Sequence, residues 1–194
     1  TANTKSIILN GTSSYVSFTT DSNIHMDSSM TVEAWIKPTA FATTNYGNSI
    51  VCKHSWSLNG EQGFVLRCGG SGQLSFTFSG VDTLGNVLGW QDLVSPINTL
   101  TLNTWTHVAA SYDGDSSKLY VNGVEVASSY FHGSINPNTA FPMRIGRLCD
   151  PGQTQTRYFS GQIDEVRIWN FAKPQAEILA GYNRHISPTS TGLV

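Results

Sequence analysis

Met30-Thr31-Val32-Glu33-Ala34-Trp35-Ile36-Lys37-Pro38 alternates at nearly every step. Met30, Val32, Ala34 and Ile36 fall on one side, and Thr31, Glu33, Trp35 and Lys37 on the other. That is the two-residue period of a strand, not the 3.6-residue period of a helix. Pro38 has no N–H for a ladder and stops the run. Residues 105–112 read the same way, with Val108, Ala110 and Tyr112 opposite Trp105 and His107. Asp113-Gly114-Asp115 then forms a turn. Outward from these two runs, short stretches rich in Val, Ile, Tyr, Phe and Thr recur at 6–9, 15–18, 50–56, 63–67, 74–78, 118–121, 124–127, 143–145 and 159–169. Gly, Asn, Asp and Ser separate them, which is the pattern of a β-sandwich or barrel. Asn122-Gly123 between two such runs is a strong two-residue hairpin signal. The stretch 79–102, with Trp90 and Pro96, reads as a strand plus a long loop. One helix is expected: Pro174 suits a first turn, residues 175–180 are mostly good helix formers, and Gly181 ends it. The expectation is an all-β, two-sheet antiparallel sandwich with at most one short C-terminal helix. It forms a single domain over 1–184, followed by a tail or linker over 185–194 that is read as disordered.

The chain has 194 residues, enough for one well-buried core without staples. Charged residues make up 12%, about half of the roughly 25% usual in globular proteins, so Ser, Thr, Asn and Gly supply the polarity. That balance is common in secreted β-rich modules. Net charge is −2 with no basic run, which argues against nucleic acid and anionic membranes as partners. No apolar stretch reaches the length of a membrane span. The chain begins at Thr1 without a signal peptide and is read as a mature or excised piece of an exported protein.

Three cysteines leave at least one thiol free or intermolecular. If the turn between 52 and 68 centres on Gly60, Cys52 faces Cys68 and Trp56 faces Phe64 across a hairpin. A disulfide or two packed thiols both satisfy that placement. Cys52-x-His54 has the look of half a zinc site, without a second pair at metal-ligand spacing.

Four blocks occur in an order that resembles the laminin-G-like, concanavalin A-like jelly-roll family. They are Asn10-Gly11 with Tyr15-Val16; residues 30–38; residues 105–114 with Leu119-Tyr120-Val121-Asn122-Gly123; and Ile145-Gly146-Arg147 with residues 159–170. They cover about residue 6 to about residue 182. The resemblance implies a concave and a convex sheet packed face to face, and an extracellular or cell-surface setting. It also implies a role in carbohydrate or protein recognition, and frequently one structural calcium ion.

Within 159–169, Ile163 is out of step with Val166 and Ile168, so the phase slips at Asp164-Glu165. A slip inside a strand indicates a β-bulge, which re-aims side chains. The resemblance implies Asp164 as a calcium ligand there, with Asn10 and Gly11 as neighbours or backbone ligands, although the family often has Asp where this chain has Asn10. An acid at a bulge is a suitable hard-oxygen ligand; the alternative is that Asp164 caps the bulge by hydrogen bonding. Asn10-Gly11-Thr12 is also a formal glycosylation sequon, expected to be poorly accessible if it lies beside a metal.

No Gly-x-Ser-x-Gly elbow and no phosphate-binding glycine loop are present. Glycoside hydrolysis needs two carboxylates flanking one bond. Here Glu33 stands alone, and adjacent Asp164 and Glu165 point apart on a regular strand. A catalytic domain is therefore the least favoured reading. Glu33, Trp35 and His107 form either a sugar platform or, preferred, a covered ladder with Glu33 paired to Arg144 or Arg167. Aromatics outside the four blocks are the better binding candidates: Tyr46, Trp56, Trp90, Tyr130, Phe131 and Tyr158. Rigid sandwiches carry recognition on their loops, and flat rings suit the apolar face of a pyranose. Trp90 with Gln91 and Asp92 comes first, then Asp150, Gln153, Arg157 and Tyr158, with His132 beside Tyr130. The expected function is a non-catalytic carbohydrate-binding module of a secreted or surface protein, with glycan as partner. An adhesion or protein-interaction module is the alternative.

Overall fold

A computed structural model describes residues 5–18, 24, 26–55, 61–137, 141–149, 157–184 and 186–194. In chain order the elements are β1 (Ile7–Asn10), β2 (Val16–Ser17), β3 (Met30–Pro38), β4 (Asn48–Ser55), β5 (Gln62–Gly69), β6 (Gln73–Val81) and β7 (Val87–Val94). They continue with β8 (Thr106–Tyr112), β9 (Ser116–Val121), β10 (Val124–Tyr130), β11 (Ser134–Ile135), β12 (Arg144–Ile145), β13 (Ser160–Trp169) and α1 (Gln175–Gly181). One sheet has the order β1-β13-β3-β8-β9-β10. The other runs β11-β6-β5-β4-β12-β2, with β7 also paired to β6. The neighbours pair antiparallel, for example β3 with β8 and β6 with β7.

The alternation in β3 sends Met30, Val32, Ala34 and Ile36 into the shared core, all fully buried. Val108, Ala110, Tyr112 and Leu119 join them, and the second sheet contributes Ile50, Leu66, Leu74, Phe76 and Phe78. At roughly 1.5–3 kcal/mol per buried large apolar side chain, this two-layer core is what holds the sheets together. The opposite face of β3 is covered too. On that side Ile178 of α1 packs on Ala109 and Tyr120, and Trp35 Nε1 donates to the Tyr182 carbonyl at 2.8 Å.

The Asn122-Gly123 hairpin forms as expected, with Val121 opposite Val124 and both turn residues at positive φ, 49° and 79°. Such a turn matches the strand twist. The bulge in β13 is also where the phase slips: register shifts between Asp164 and Arg167, and Glu165 sits at φ 48°.

One expectation needs correction. The β4–β5 hairpin is not centred on Gly60. Cys52 pairs with Val65 and Lys53 with Phe64, and a bulge between Ser49 and Val51 then brings Cys68 opposite Asn48. Cys68 therefore points into the main core while Cys52 points to the outer face, beside Val65, Leu148 and Cys149. The disulfide is Cys52–Cys149, 97 residues apart in sequence, and Cys68 is free and buried. Trp56, expected opposite Phe64, lies outside the described residues. At the end of the chain, Leu193 bridges to Trp169, and the N–H groups of Asn170 and Val194 donate to the carbonyls of Gly192 and Ile168.

Candidate functional site

Strand alternation puts Cys52 and His54 of β4, Val65 and Arg67 of β5, Ser75, Thr77 and Ser79 of β6, and Trp90 and Asp92 of β7 on the outer face of the second sheet. Register aligns Trp90 with Ser79 and Asp92 with Thr77. Arg67 is the centre of this face and is 4% exposed. Its guanidinium hydrogen-bonds Thr77, lies 3.8 Å from an Asp92 oxygen and stacks 4.7 Å from the Tyr46 ring centroid. Thr77 donates to Asp92, and the Tyr46 hydroxyl reaches Asp92 Oδ2 at 3.5 Å. Arg157, at φ 47°, donates to the Tyr46 carbonyl at 3.1 Å. Burial, then the nearby Arg157 charge, pull the Arg67 pKa down to about 10 against the opposing pull of Asp92. Arg67 therefore stays cationic at neutral pH.

Next to this group, Arg147 stacks between Tyr15 at 4.9 Å and Tyr158 at 5.4 Å. Arg144 lies 5.6 Å from the Tyr15 centroid and donates to the carbonyls of Leu148 and Cys149. At the adjoining rim an open depression of about 440 Å³ is lined by Gly11, Phe41, Asn48, Arg157, Tyr158 and Ser160, among others. Trp90, half-buried, continues the face in the other direction, its ring 5.7 Å from that of His54.

The structure thus brings together Tyr46, Asp92, Arg157 and Tyr158, with Trp90 further along the same face. Trp90 and Asp92 sit on a strand and not on a loop. Gln91, grouped with them by proximity in sequence, faces the opposite way; its nitrogen donates to the Gly89 carbonyl. Tyr130, 74% exposed, ends the edge strand of the first sheet, and His132 nearby is paired with Asp115. Those two form a separate group. Trp56, Asp150 and Gln153 lie outside the described residues. Arg67 was missed, although a lone cation inside the otherwise apolar run 64–68 is a signal that could have marked it.

The three residues expected at a calcium site do not form one coordination set. Asn10 pairs with Ser160, four residues before Asp164 on the same strand, which is about 13 Å at roughly 3.3 Å per residue. The Asn10 side-chain oxygen accepts the N–H groups of Thr12, Ser13 and Ser14 at 2.9–3.0 Å. Asp164 accepts the Glu165 N–H at 2.8 Å, the hydrogen bond expected of a bulge cap. Asn10 is exposed, unlike a sequon shielded by a metal. Calcium usually takes six to eight oxygens, so these three residues alone would not complete a site. Cys52, His54 and Cys149 do converge, but the two sulfurs are bonded to each other and are not thiolate ligands in that state.

Glu33 is fully buried and belongs to a covered ladder. Its carboxylate accepts from Trp169 Nε1 at 2.7 Å and lies 3.2 Å from both Lys173 Nζ and His107 Nε2. Arg167 is 3.9 Å away. Burial pushes this carboxyl up, but the contacts with His107, Lys173 and Trp169 outweigh it and hold the pKa at about 2. The sugar-platform alternative fails because Tyr182 and Trp35 close over this group, Tyr182 lying 5.6 Å from His107.

A family model described as the concanavalin A-like lectin/glucanase superfamily matches residues 10–179. A solved Bacteroides ovatus protein, provisionally named a carbohydrate binding protein, is 27% identical with a TM-score of 0.69. The match covers 92% of this chain and 47% of that one, so the chain spans about half of it. The sialidase carbohydrate-binding module of Ruminococcus gnavus, solved with α2,3-sialyllactose, is 16% identical with a TM-score of 0.67, covering 91% of this chain and 95% of that one. Human pappalysin-1 is 34% identical over 88 residues, which is 44% of this chain and only 5% of that protein. With the match spanning most of its length and the two-sheet topology described above, the chain belongs to the concanavalin A-like lectin/glucanase superfamily.

Proposed function

We propose that this chain is a non-catalytic glycan-binding module, working outside the cell as part of a secreted or surface protein. The observation that carries this reading is the convergence of Tyr46, Arg67, Asp92 and Arg157 on one face, beside the half-buried Trp90 and an open rim depression. Such a surface combines flat rings for a sugar's apolar face with fixed polar groups for its hydroxyls. The likeness to the Bacteroides ovatus protein supports it. Asp92 is the carboxylate at the centre of the face, and its oxygens are already engaged by Thr77, Arg67 and Tyr46. That commitment suits a binding group and not a proton donor. The buried Cys52–Cys149 bond supports an oxidising compartment. A screen of immobilised glycans and polysaccharides tests the reading: at least one should retain the protein, and uniform silence across neutral and acidic members would remove it.

A second reading, a protein-interaction module, is favoured by one observation. The β6–β7 hairpin carries Leu84, Val87 and Leu88 at 85%, 49% and 55% exposure, on a turn stiffened by Asp82, which accepts from Leu84 and Asn86. Retention of a protein partner that is lost in Leu84→Ser, without any glycan binding, would favour it.

A further inference from the structure

The candidate face has an uneven charge. Arg144, Arg147 and Arg157 lie within 14 residues of a chain that holds only 11 Lys and Arg in all, and the fold sets Arg67, from a separate strand, beside them. Arg144 lies in the same cross-strand row as Cys52, Val65, Thr77 and Asp92. Arg67 lies close enough to Arg157 for their charges to repel, and Tyr158, which follows Arg157, carries the Arg147 guanidinium on its ring. Among the described residues, Asp92 is the carboxylate set against this cluster. The other described acid close to the face, Glu61, reaches Gly89, three residues along β7 from Asp92. Among the described residues, the lining of the rim depression includes Arg157 and no carboxylate, and the Nε–H groups of Arg67 and Arg147 have no hydrogen-bond partner. Among the same residues, four guanidinium groups held by rings and backbone carbonyls face one acid, Asp92, which leaves a net positive potential on this face. Cationic groups fixed in a partly buried site attract anions more strongly than the same groups in water.

We infer that the ligand is an acidic glycan whose carboxylate or sulfate group sits in the rim depression against Arg157, with Arg147 beside it. This rests on the glycan-binding reading above and narrows it. Arginine suits the task because its planar fork meets carboxylate and sulfate oxygens in two parallel hydrogen bonds. The sequence did not show the patch, because only the fold brings Arg67 beside the arginines of residues 144–157.

The test uses matched polymers: polygalacturonate against its methyl ester, and dextran sulfate against dextran. Binding to each is measured by biolayer interferometry for the wild type and for Arg157→Gln and Arg147→Gln. Circular dichroism melts confirm that each variant is folded. The acidic member of at least one pair should bind about 10-fold or more tightly than its neutral counterpart, as expected for one charge-assisted contact. The preference should weaken with added salt and shrink in Arg157→Gln. Preference for the uronate identifies a carboxylate, and preference for dextran sulfate identifies a sulfate. Equal or tighter binding of neutral polymers would overturn the acidic-ligand inference and leave the glycan reading standing. An acidic preference unchanged in both folded variants would overturn the assignment to this patch. No binding to any polymer or screened glycan would overturn the glycan reading itself.

Discussion

Replacing Cys149 by serine should cost substantial stability, because it opens a loop closed across 97 residues. In the chain-entropy treatment a loop of that length restricts the unfolded chain by about 4.7 kcal/mol at 25 °C. Native-state effects commonly reduce the realised value, so about 2–5 kcal/mol is expected. For a domain of this size 1 kcal/mol shifts Tm by about 2–4 °C, giving a fall of roughly 5–20 °C. The site supports the upper part of that range. Both sulfurs are fully buried beside Val65 and Leu148, and Arg144 grips the backbone at Leu148 and Cys149, so the serine leaves a buried Cys52 thiol without its partner. Scanning calorimetry of the oxidised wild type and Cys149→Ser measures the shift, and non-reducing peptide mapping identifies the linked pair. Cys68 serves as an internal control: burial pushes its thiol up to about 12, so it should resist alkylation until the protein unfolds. An unchanged Tm in Cys149→Ser, or a mapped Cys52–Cys68 peptide, would refute the reasoning.

Two further outcomes follow from the buried groups. Glu33 has a folded pKa of about 2 against an ordinary 4.5, so its contribution is present above pH 4.5 and fades as pH falls towards 2. The shift corresponds to roughly 3 kcal/mol. Urea denaturation between pH 7 and pH 2 should show this loss. Glu33→Gln should be less stable by about 3–5 kcal/mol at pH 7, because Lys173 loses its buried counter-charge, and should show a flatter acid limb; an equally steep limb in the variant would assign the loss elsewhere. If the calcium ion that the resemblance implies is bound, adding a chelator should lower Tm by several degrees, and a Tm unchanged within about 1 °C would remove it.

The sequence carried the strand pattern well because two-residue alternation is a local signal. The alternation of 30–38, the Asn122-Gly123 turn and the phase slip at Asp164-Glu165 each became the feature they indicated. The cysteine pairing was not legible. The register pairs Cys52 with Val65, three residues before Cys68, so strand alternation puts Cys68 on the other face, and no local pattern links Cys52 to a residue 97 positions away. The binding face was half legible. Tyr46, Asp92, Arg157 and Tyr158 could be picked singly as polar or aromatic residues outside the family blocks, but only the folded chain brings Tyr46, Asp92 and Arg157 around Arg67. Proximity in sequence misled at Gln91, since neighbours on a strand point to opposite faces. The backbone contacts of residues 192–194 with the end of β13 leave no periodic trace in the sequence.

The most direct test of the binding face is isothermal titration of the best glycan from the screen into the wild type, Trp90→Ala and Arg157→Gln. Tyr130→Ala, altered on the edge strand β10 of the first sheet, serves as the comparison. The account predicts that Trp90→Ala and Arg157→Gln each weaken binding about 10-fold or more, as loss of a stacked ring or a charge-assisted contact should, while Tyr130→Ala binds like the wild type. Wild-type affinity in both face variants, or a loss confined to Tyr130→Ala, would contradict it.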